Sequence, residues 1–244
     1  MPDLLSTTDY ALVCSILFLA YLIRGIAGFG SALVAVPLLL FILPFKTVVP
    51  LIVALDYIAA SSHGVRYRKN ICWHDILPLL PFTLTGILIA IYLFKTIDVK
   101  LLTLILGSMI MIYAIYSLLP YQPQKKHHRG WAIPAGSLGG LVGTLFGTGG
   151  PFYVIYLKLR QLDKTEFRAT IAMIFFLDGG ARLIALLLSS VYNLRLFFML
   201  LLSLPIMFMA MYIGGHIHTN LSQATFQRII SIILLFSGLG IILK

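Results

Sequence analysis

Charge is what this sequence has least of. Only 11% of its 244 residues are Asp, Glu, Lys or Arg, and 60% are apolar, against roughly 25% charged in an ordinary soluble domain. A soluble fold needs polar residues to cover its surface, and here the longest stretch without a strong apolar run is Pro120 to Gly130. The composition therefore excludes a water-soluble globule and an added extramembrane domain. Acids are scarcer than bases, 8 against 18, for a formal charge of +10. The bases form no contiguous patch on a polar surface, which excludes nucleic acid as a partner. Two cysteines, Cys14 and Cys72, are too few and too separated for a disulfide framework. No Lys or Arg precedes Arg24, so the basic n-region of a cleaved signal peptide is missing and the first apolar run is expected to stay in the mature chain. A P-loop for ATP, a nucleophile elbow and a His-Glu-x-x-His helix are all absent from the sequence. His216 and His218 stand two apart, on different faces of a helix, so neither a metal site nor a cofactor is expected.

What the chain does have is apolar runs. They fall at 10–26, 30–43, 48–63, 76–94 and 99–119, and again at 131–146, 150–159, 167–188, 195–217 and 224–243. In each set the first two runs are joined only by glycines: Gly25, Gly28 and Gly30 in one, and Gly143, Gly147, Gly149 and Gly150 in the other. An unbroken helix from Tyr10 to Ile42 would be about 50 Å long, against a bilayer core of about 30 Å. The chain must break at the glycines. Gly86, Gly107 and Gly238 stand alone and read as helix-packing contacts.

The two glycine clusters lie half a chain apart, and so do Asp56 and Asp178, at a spacing of 122. This predicts one integral membrane domain over 1–244 made of two copies, 1–122 and 130–244. Positive charge sets their relative orientation. With ten crossings and the N-terminus outside, the inside connections hold Arg66, Arg68, Lys69, Lys125, Lys126, Arg129, Lys158, Arg160, Lys164, Arg168 and Arg228. Outside lie Lys46, Lys95, Lys100, Arg195 and Lys244. Treating the second run of each set as a re-entrant loop would move the basic connection from Lys158 to Arg168 outside, against the positive-inside rule. The expected fold is an all-α polytopic plasma-membrane protein. It has about ten membrane helices or half-helices in two inverted-topology repeats, with glycine-broken helices at the midplane. Trp73 and Trp131 are placed for interfacial belts. Lipid-facing surfaces and helix interfaces are both apolar, so composition sets no oligomeric state.

A helix N-terminus leaves N–H groups unpaired and carries partial positive charge, which suits an anion. Gly28, Gly30 and Ser31 precede one short half-helix; Gly147, Thr148, Gly149, Gly150 and Pro151 precede the other, Pro151 as a first-turn proline. Ser31 and Thr148 are expected as helix caps or as ligand donors. Four ionisable residues fall inside apolar runs, and at that depth a charge has a partner or a task. Asp178 and Arg182, four apart, can pair on one helix face. Asp56 has Arg24 of the neighbouring run as its candidate partner. Arg24 and Arg182 are the expected positive charges of a substrate site. A carboxyl in a low-dielectric site takes up a proton more readily than in water, which makes Asp56 and Asp178 candidates for proton coupling.

Two segments also carry a family resemblance: Arg24-Gly-Ile-Ala-Gly-Phe-Gly-Ser-Ala-Leu-Val-Ala-Val-Pro37 and Gly139-Gly-Leu-Val-Gly-Thr-Leu-Phe-Gly-Thr-Gly-Gly-Pro151. They resemble the doubled glycine motif of the TauE/SafE sulfite exporter family, and the similarity in length and run order covers nearly the whole chain. The resemblance implies a plasma-membrane permease for small anions, typically sulfite, sulfonates or sulfur-bearing organic acids, without ATP hydrolysis in the same chain. The first motif departs from the usual pattern at Phe29 and Ser31, where many members carry more glycine. The reading is a secondary transporter of a small anion by alternating access. Its rivals are a passive anion channel, which builds no gradient, and an intramembrane enzyme or assembly subunit, which moves no anion.

Overall fold

The computed structural model describes residues 6–63, 70–118, 127–189, 191–217 and 223–243, and among these every regular element is helical. In chain order they are α1 (Thr7–Ala27), α2 (Ser31–Leu39), α3 (Phe45–His63), α4 (Trp73–Ile76), α5 (Leu80–Thr96) and α6 (Val99–Leu118). After a 3-10 turn at Arg129–Trp131 follow α7 (Ala132–Phe146), α8 (Gly150–Leu159), α9 (Lys164–Leu188), α10 (Leu194–His216) and α11 (Gln223–Ile242). Arg66, Arg68, Lys69, Lys125, Lys126, His218 and Lys244 lie outside the described residues, as do the boundary near residue 122 and the side chain of Arg228.

Among the described residues, four helices are long and apolar enough to cross a bilayer: α1, α6, Thr165–Leu188 of α9, and α10. The half-helices are different. α2 has 9 residues and α8 has 10, about 14 to 15 Å of rise each, half of a hydrocarbon core. The fourth apolar run is not one helix. Pro78 and Pro81 cannot donate backbone hydrogen bonds, and the chain turns between α4 and α5 with Pro81 in the first turn of α5. The other expected runs match helices to within a few residues. Side chains cap the starts of α1, α9 and α10: Ser6 and Asp9 form a reciprocal capping box at α1, Asp163 and Glu166 another at α9, and Asn193 caps α10.

Burial is arranged for lipid. Eight of the nine residues of α2 are buried, so this half-helix has no outer face and stands at the centre. Conversely α10 exposes Phe197, Phe198, Leu202, Phe208 and Tyr212, and α6 exposes Leu104, Ile112 and Ile115. Apolar surface on this scale, on successive helices, needs a hydrocarbon solvent. Trp73 and Trp131 are half-exposed at the starts of α4 and α7. The core divides in two. α2 belongs to an apolar cluster with α1, α3, α5, α6, α10 and α11, whereas Tyr153, Val154 and Leu157 of α8 belong to a second, with α4, and α7 and α9 contribute to both.

Three helix pairs dominate the packing: α1 with α10, α5 with α7, and α6 with α11. Each closes on glycine. Gly25 and Gly214 meet across α1 and α10, Gly86 and Gly140 face backbone across α5 and α7, and Gly107 and Gly238 meet across α6 and α11. The isolated glycines of the sequence are therefore packing contacts, as their spacing suggested. A methyl at Gly214 would strike the Leu22 carbonyl, which is backbone and cannot swing away, while one at Gly215 would meet open space. Gly214→Ala should therefore cost about 1 to 3 kcal/mol by overpacking, and Gly215→Ala should gain up to about 1 kcal/mol from helix propensity. Thermal melting of the two detergent-solubilised variants should move in opposite directions; equal shifts would contradict this packing.

Candidate functional site

Both breaks begin the same way. α1 ends at Gly28 with φ 82°, and α7 ends at Gly147 with φ 73°, left-handed values that favour glycine. The Gly28 N–H donates to the Arg24 carbonyl at 2.7 Å and the Gly147 N–H to the Gly143 carbonyl at 2.8 Å. Beyond this the two breaks diverge. Gly30, at the N-cap of α2, has φ 96°, whereas Gly149, at the N-cap of α8, is right-handed. Gly149 is required for space instead: a Cβ there would lie 3.0 Å from the Gly143 Cα and closer still to the Gly139 carbonyl.

The starts of α2 and α8 face one cavity of about 50 Å³, room for a few waters or one small anion. Of the residues expected to bind substrate, Arg24, Gly30, Gly147, Thr148, Gly150, Pro151 and Arg182 line it. Asp56 and Asp178 line it too, from the crossing of α3 and α9. There Tyr57 stacks on Phe176 at 5.7 Å and packs against Gly179 and Gly180. Gly28, Ser31 and Gly149 are not among the residues that line the cavity. Ser31 is not a cap, since the N-cap of α2 is Gly30 and no side chain caps it. Its hydroxyl is taken up by the nearest ion pair. Thr148 does not cap α8 either; it is buried, and its hydroxyl has no protein partner.

Each half contributes one ion pair, and the pairs are built differently. Arg24 Nη1 lies 2.9 Å from Asp56 Oδ1. The same oxygen accepts from Ser31 Oγ at 2.7 Å and from Tyr21 Oη at 2.8 Å, while Arg24 also donates to Ser31 Oγ and to the Asp56 carbonyl. This pair spans α1 and α3. In the second half Asp178 and Arg182 pair within α9, one turn apart, as their spacing predicted. Four residues before the left-handed glycine of each break stand Arg24 in one case and Gly143 in the other. A side chain at Gly143 would overlap the Arg182 guanidinium, so the glycine vacates the place into which α9 sends its arginine.

The electrostatics follow. Two ionised arginines and two ionised aspartates would cancel around the cavity, and the α2 and α8 N-termini, each about half a positive charge, face it through Gly30 and Gly150. That arrangement suits an anion.

Two features escaped sequence reasoning. Tyr21 lies one helical turn before Arg24, a spacing that shares a face and could have flagged it. Asp75 gave no such signal. It is buried and accepts from Arg160 Nε at 2.7 Å and Arg129 Nε at 3.4 Å, and Arg160 also donates to the His127 carbonyl. Arg129 and Arg160, read from the sequence as connection charges that report topology, are thus ion-pair partners, and Arg160 is itself buried. The knot joins residues 85 apart, and no local pattern encodes it.

The sequence profile described as "Sulfite exporter TauE/SafE" matches residues 13–241. Among curated proteins, the chain is 28% identical over 195 residues to the "Probable inner membrane transporter protein TsaS" of Comamonas testosteroni, covering 78% of this chain and 81% of that one. It is 22% identical over 228 residues to the "Probable sulfite/organosulfonate exporter TauE" of Cupriavidus necator, covering 90% and 88%. No solved structure matches significantly. A profile match across nearly the whole chain, with two broken helices meeting at a cavity between intramembrane ion pairs, leads to one conclusion: this is a multi-pass membrane transporter, not an enzyme, and it belongs to the TauE/SafE sulfite exporter family.

Proposed function

We propose that the protein is a secondary transporter of a small sulfur-bearing anion, sulfite or an organosulfonate, working by alternating access in the plasma membrane. The observation that carries this reading is the single cavity shared by two half-helix N-termini, with Arg24, Arg182 and the unpartnered Thr148 hydroxyl in its wall. The anion is held by N–H groups of α2 and α8. Asp56 and Asp178 are the groups through which a proton gradient drives it.

A twofold repeat, 1–122 and 130–244, is supported by the packing, and its inverted orientation rests on the placement of positive charge. Exchanging the first and second halves turns the α1–α10 contact into α7–α5, α1–α2 into α7–α8, α2–α3 into α8–α9, and α3–α10 into α9–α5, and all of these contacts occur. The α3–α9 and α6–α11 contacts map onto themselves, as contacts at a twofold axis do. Such a pair of repeats, rocking around a fixed site, gives alternating access. The basic end with Arg129 and Arg160 then faces the cytoplasm and the N-terminus faces outside.

Labelled sulfite and sulfoacetate should enter proteoliposomes of the purified protein and accumulate when a pH gradient is imposed. Flux that only equilibrates would mean a passive pore, and no flux over a broad anion panel would defeat the proposal. Arg24→Gln and Arg182→Gln should each lower initial rates at limiting substrate about 10- to 100-fold, the worth of a charged hydrogen bond, and Thr148→Val less. Rates at the wild-type level in both arginine variants would place the substrate elsewhere.

Orientation can be read from a native thiol. Cys72 sits beside α4 with its N–H donated to Thr170, and burial pushes its thiol above the usual value. Because the thiolate is the nucleophile, an impermeant maleimide should label it slowly at pH 7 and faster as pH rises. In a Cys14→Ser background, labelling should occur in inside-out vesicles and not in intact cells. Labelling of intact cells would reverse the topology.

A further inference from the structure

The two halves bring matching positions to the central cavity and fill them with unlike side chains. Asp56 and Asp178 stand 122 residues apart, and the same spacing pairs Val53 with Phe175 and Tyr57 with Gly179; all six line the cavity. The breaks supply one more pair. Phe29 stands between Gly28 and Gly30, Thr148 between Gly147 and Gly149, and both line the cavity too. In three of these pairs one member is aromatic and its counterpart is smaller: valine for Phe175, glycine for Tyr57, threonine for Phe29.

The aromatic members lie together. Phe175 and Gly179 are one turn apart on the same face of α9, and the Tyr57 ring packs against Gly179 and Gly180 while stacking on Phe176. Phe29 and Phe175 pack against the same apolar cluster. The tip of the Phe175 ring covers the first residue of α8, since a Cβ at Gly150 would lie 3.3 Å from its Cζ. All three aromatic residues are partly exposed, whereas Val53 is buried, so the rings have surface left for a ligand to cover. Donors reach the same cavity from Arg24, Arg182 and the unpartnered Thr148 hydroxyl. An anion oxygen pressed against phenyl rings loses its water and gains no donor, while a methyl or methylene there gains by leaving water. Donors and aromatic rings in one small cavity therefore fit an ion with two unlike ends.

We propose that Phe29, Tyr57 and Phe175 form an apolar subsite beside the anion-binding donors, which holds the carbon substituent of an organic sulfonate and sets its size. The inference rests on the anion-transport reading and adds to it the residues that choose among anions. The cavity of about 50 Å³ takes the sulfonate group with a short substituent only, and a longer chain meets the rings. Phe175 matters most, because its ring stands at the start of α8, beside the N–H groups that hold the anion in that reading. Val53, its counterpart on α3, lines the same cavity without an aromatic ring and has no part in the size limit.

The test is counterflow of labelled sulfite and labelled methanesulfonate in proteoliposomes, with unlabelled methane-, ethane-, butane- and hexanesulfonate as competitors. In the wild type, ethanesulfonate should inhibit about three- to fourfold better than methanesulfonate, the worth of one buried methylene, and hexanesulfonate should inhibit weakly. Phe175→Ala should improve hexanesulfonate relative to methanesulfonate by about tenfold or more, and Phe29→Ala should act in the same direction. Val53→Ala should leave the order of the competitors as it is. A ratio of two competitors does not depend on how much active protein survives, so a destabilised variant still reports. If melting shows Phe175→Ala to be unfolded, Phe175→Leu and Phe29→Ala decide. An unchanged ratio in these variants, an equal gain in Val53→Ala, or wild-type inhibition that keeps strengthening up to hexanesulfonate would overturn the subsite. Sulfite counterflow that no sulfonate inhibits would overturn the subsite alone, whereas no counterflow of either anion would remove the transport reading with it.

Discussion

Everything at the centre of this molecule depends on one constraint: a backbone group freed inside hydrocarbon must find a partner within the protein or in a bound ligand. The chain breaks two helices there. α1 stops at Gly28 and α7 at Gly147, and each restarts within a few residues as a short helix whose first turn has no side-chain cap and no i−4 carbonyl of its own to accept from its N–H groups. Such a break is tolerable only where lipid cannot reach. Hence α2 is buried almost all round, and the apolar exterior is supplied by α5, α6 and α10. The glycine contacts between α1 and α10 and between α5 and α7 follow from the same need, because they draw the outer helices tightly over the breaks.

The same constraint accounts for the charges. An isolated arginine at this depth costs several kcal/mol even on the gentler scales, so Arg24 and Arg182 each carry an aspartate. Removing one partner of such a buried pair strands the other, which is why breaking these pairs costs more than the pairs themselves contribute. The pairs thus allow arginine to stand near the site without leaving a large net charge in the empty cavity.

Much of this was legible in the sequence because it is local. Overlong apolar runs interrupted by glycine located both breaks within their glycine clusters, although Gly25 and Gly143 lie inside α1 and α7, and the spacing of Asp178 and Arg182 predicted their pair. Arg24 with Asp56 was reachable because a broken helix must lie beside its neighbour. What failed to show was tertiary. Ser31 reads as a helix cap on any local rule, yet Gly30 takes that position and the hydroxyl goes to Asp56. Gly143 reads as one more break glycine, and its purpose is to make room for an arginine from another helix. Asp75 and Arg160 look like loop charges because their partnership crosses from one half of the chain to the other.

That knot bears on the half-helix whose start faces the cavity. Arg160 caps the C-terminal end of α8, where a cation complements the helix dipole, and Asp75 and the His127 carbonyl hold it there. Ten residues away along a stiff helix, Gly150 at the start of α8 lines the cavity. The buried ion pair at its far end, together with the packing of Tyr153, Val154 and Leu157, holds the axis of this half-helix. α2 reaches the same end by other means: its sides are enclosed by apolar residues of α1 and α3, and its start is clamped through Ser31 to Arg24 and Asp56. One half-helix is therefore anchored by charge at its tail and the other at its head. The side whose head is free of such bonds, α8 with Thr148, is the one with unpartnered polar groups left for a ligand.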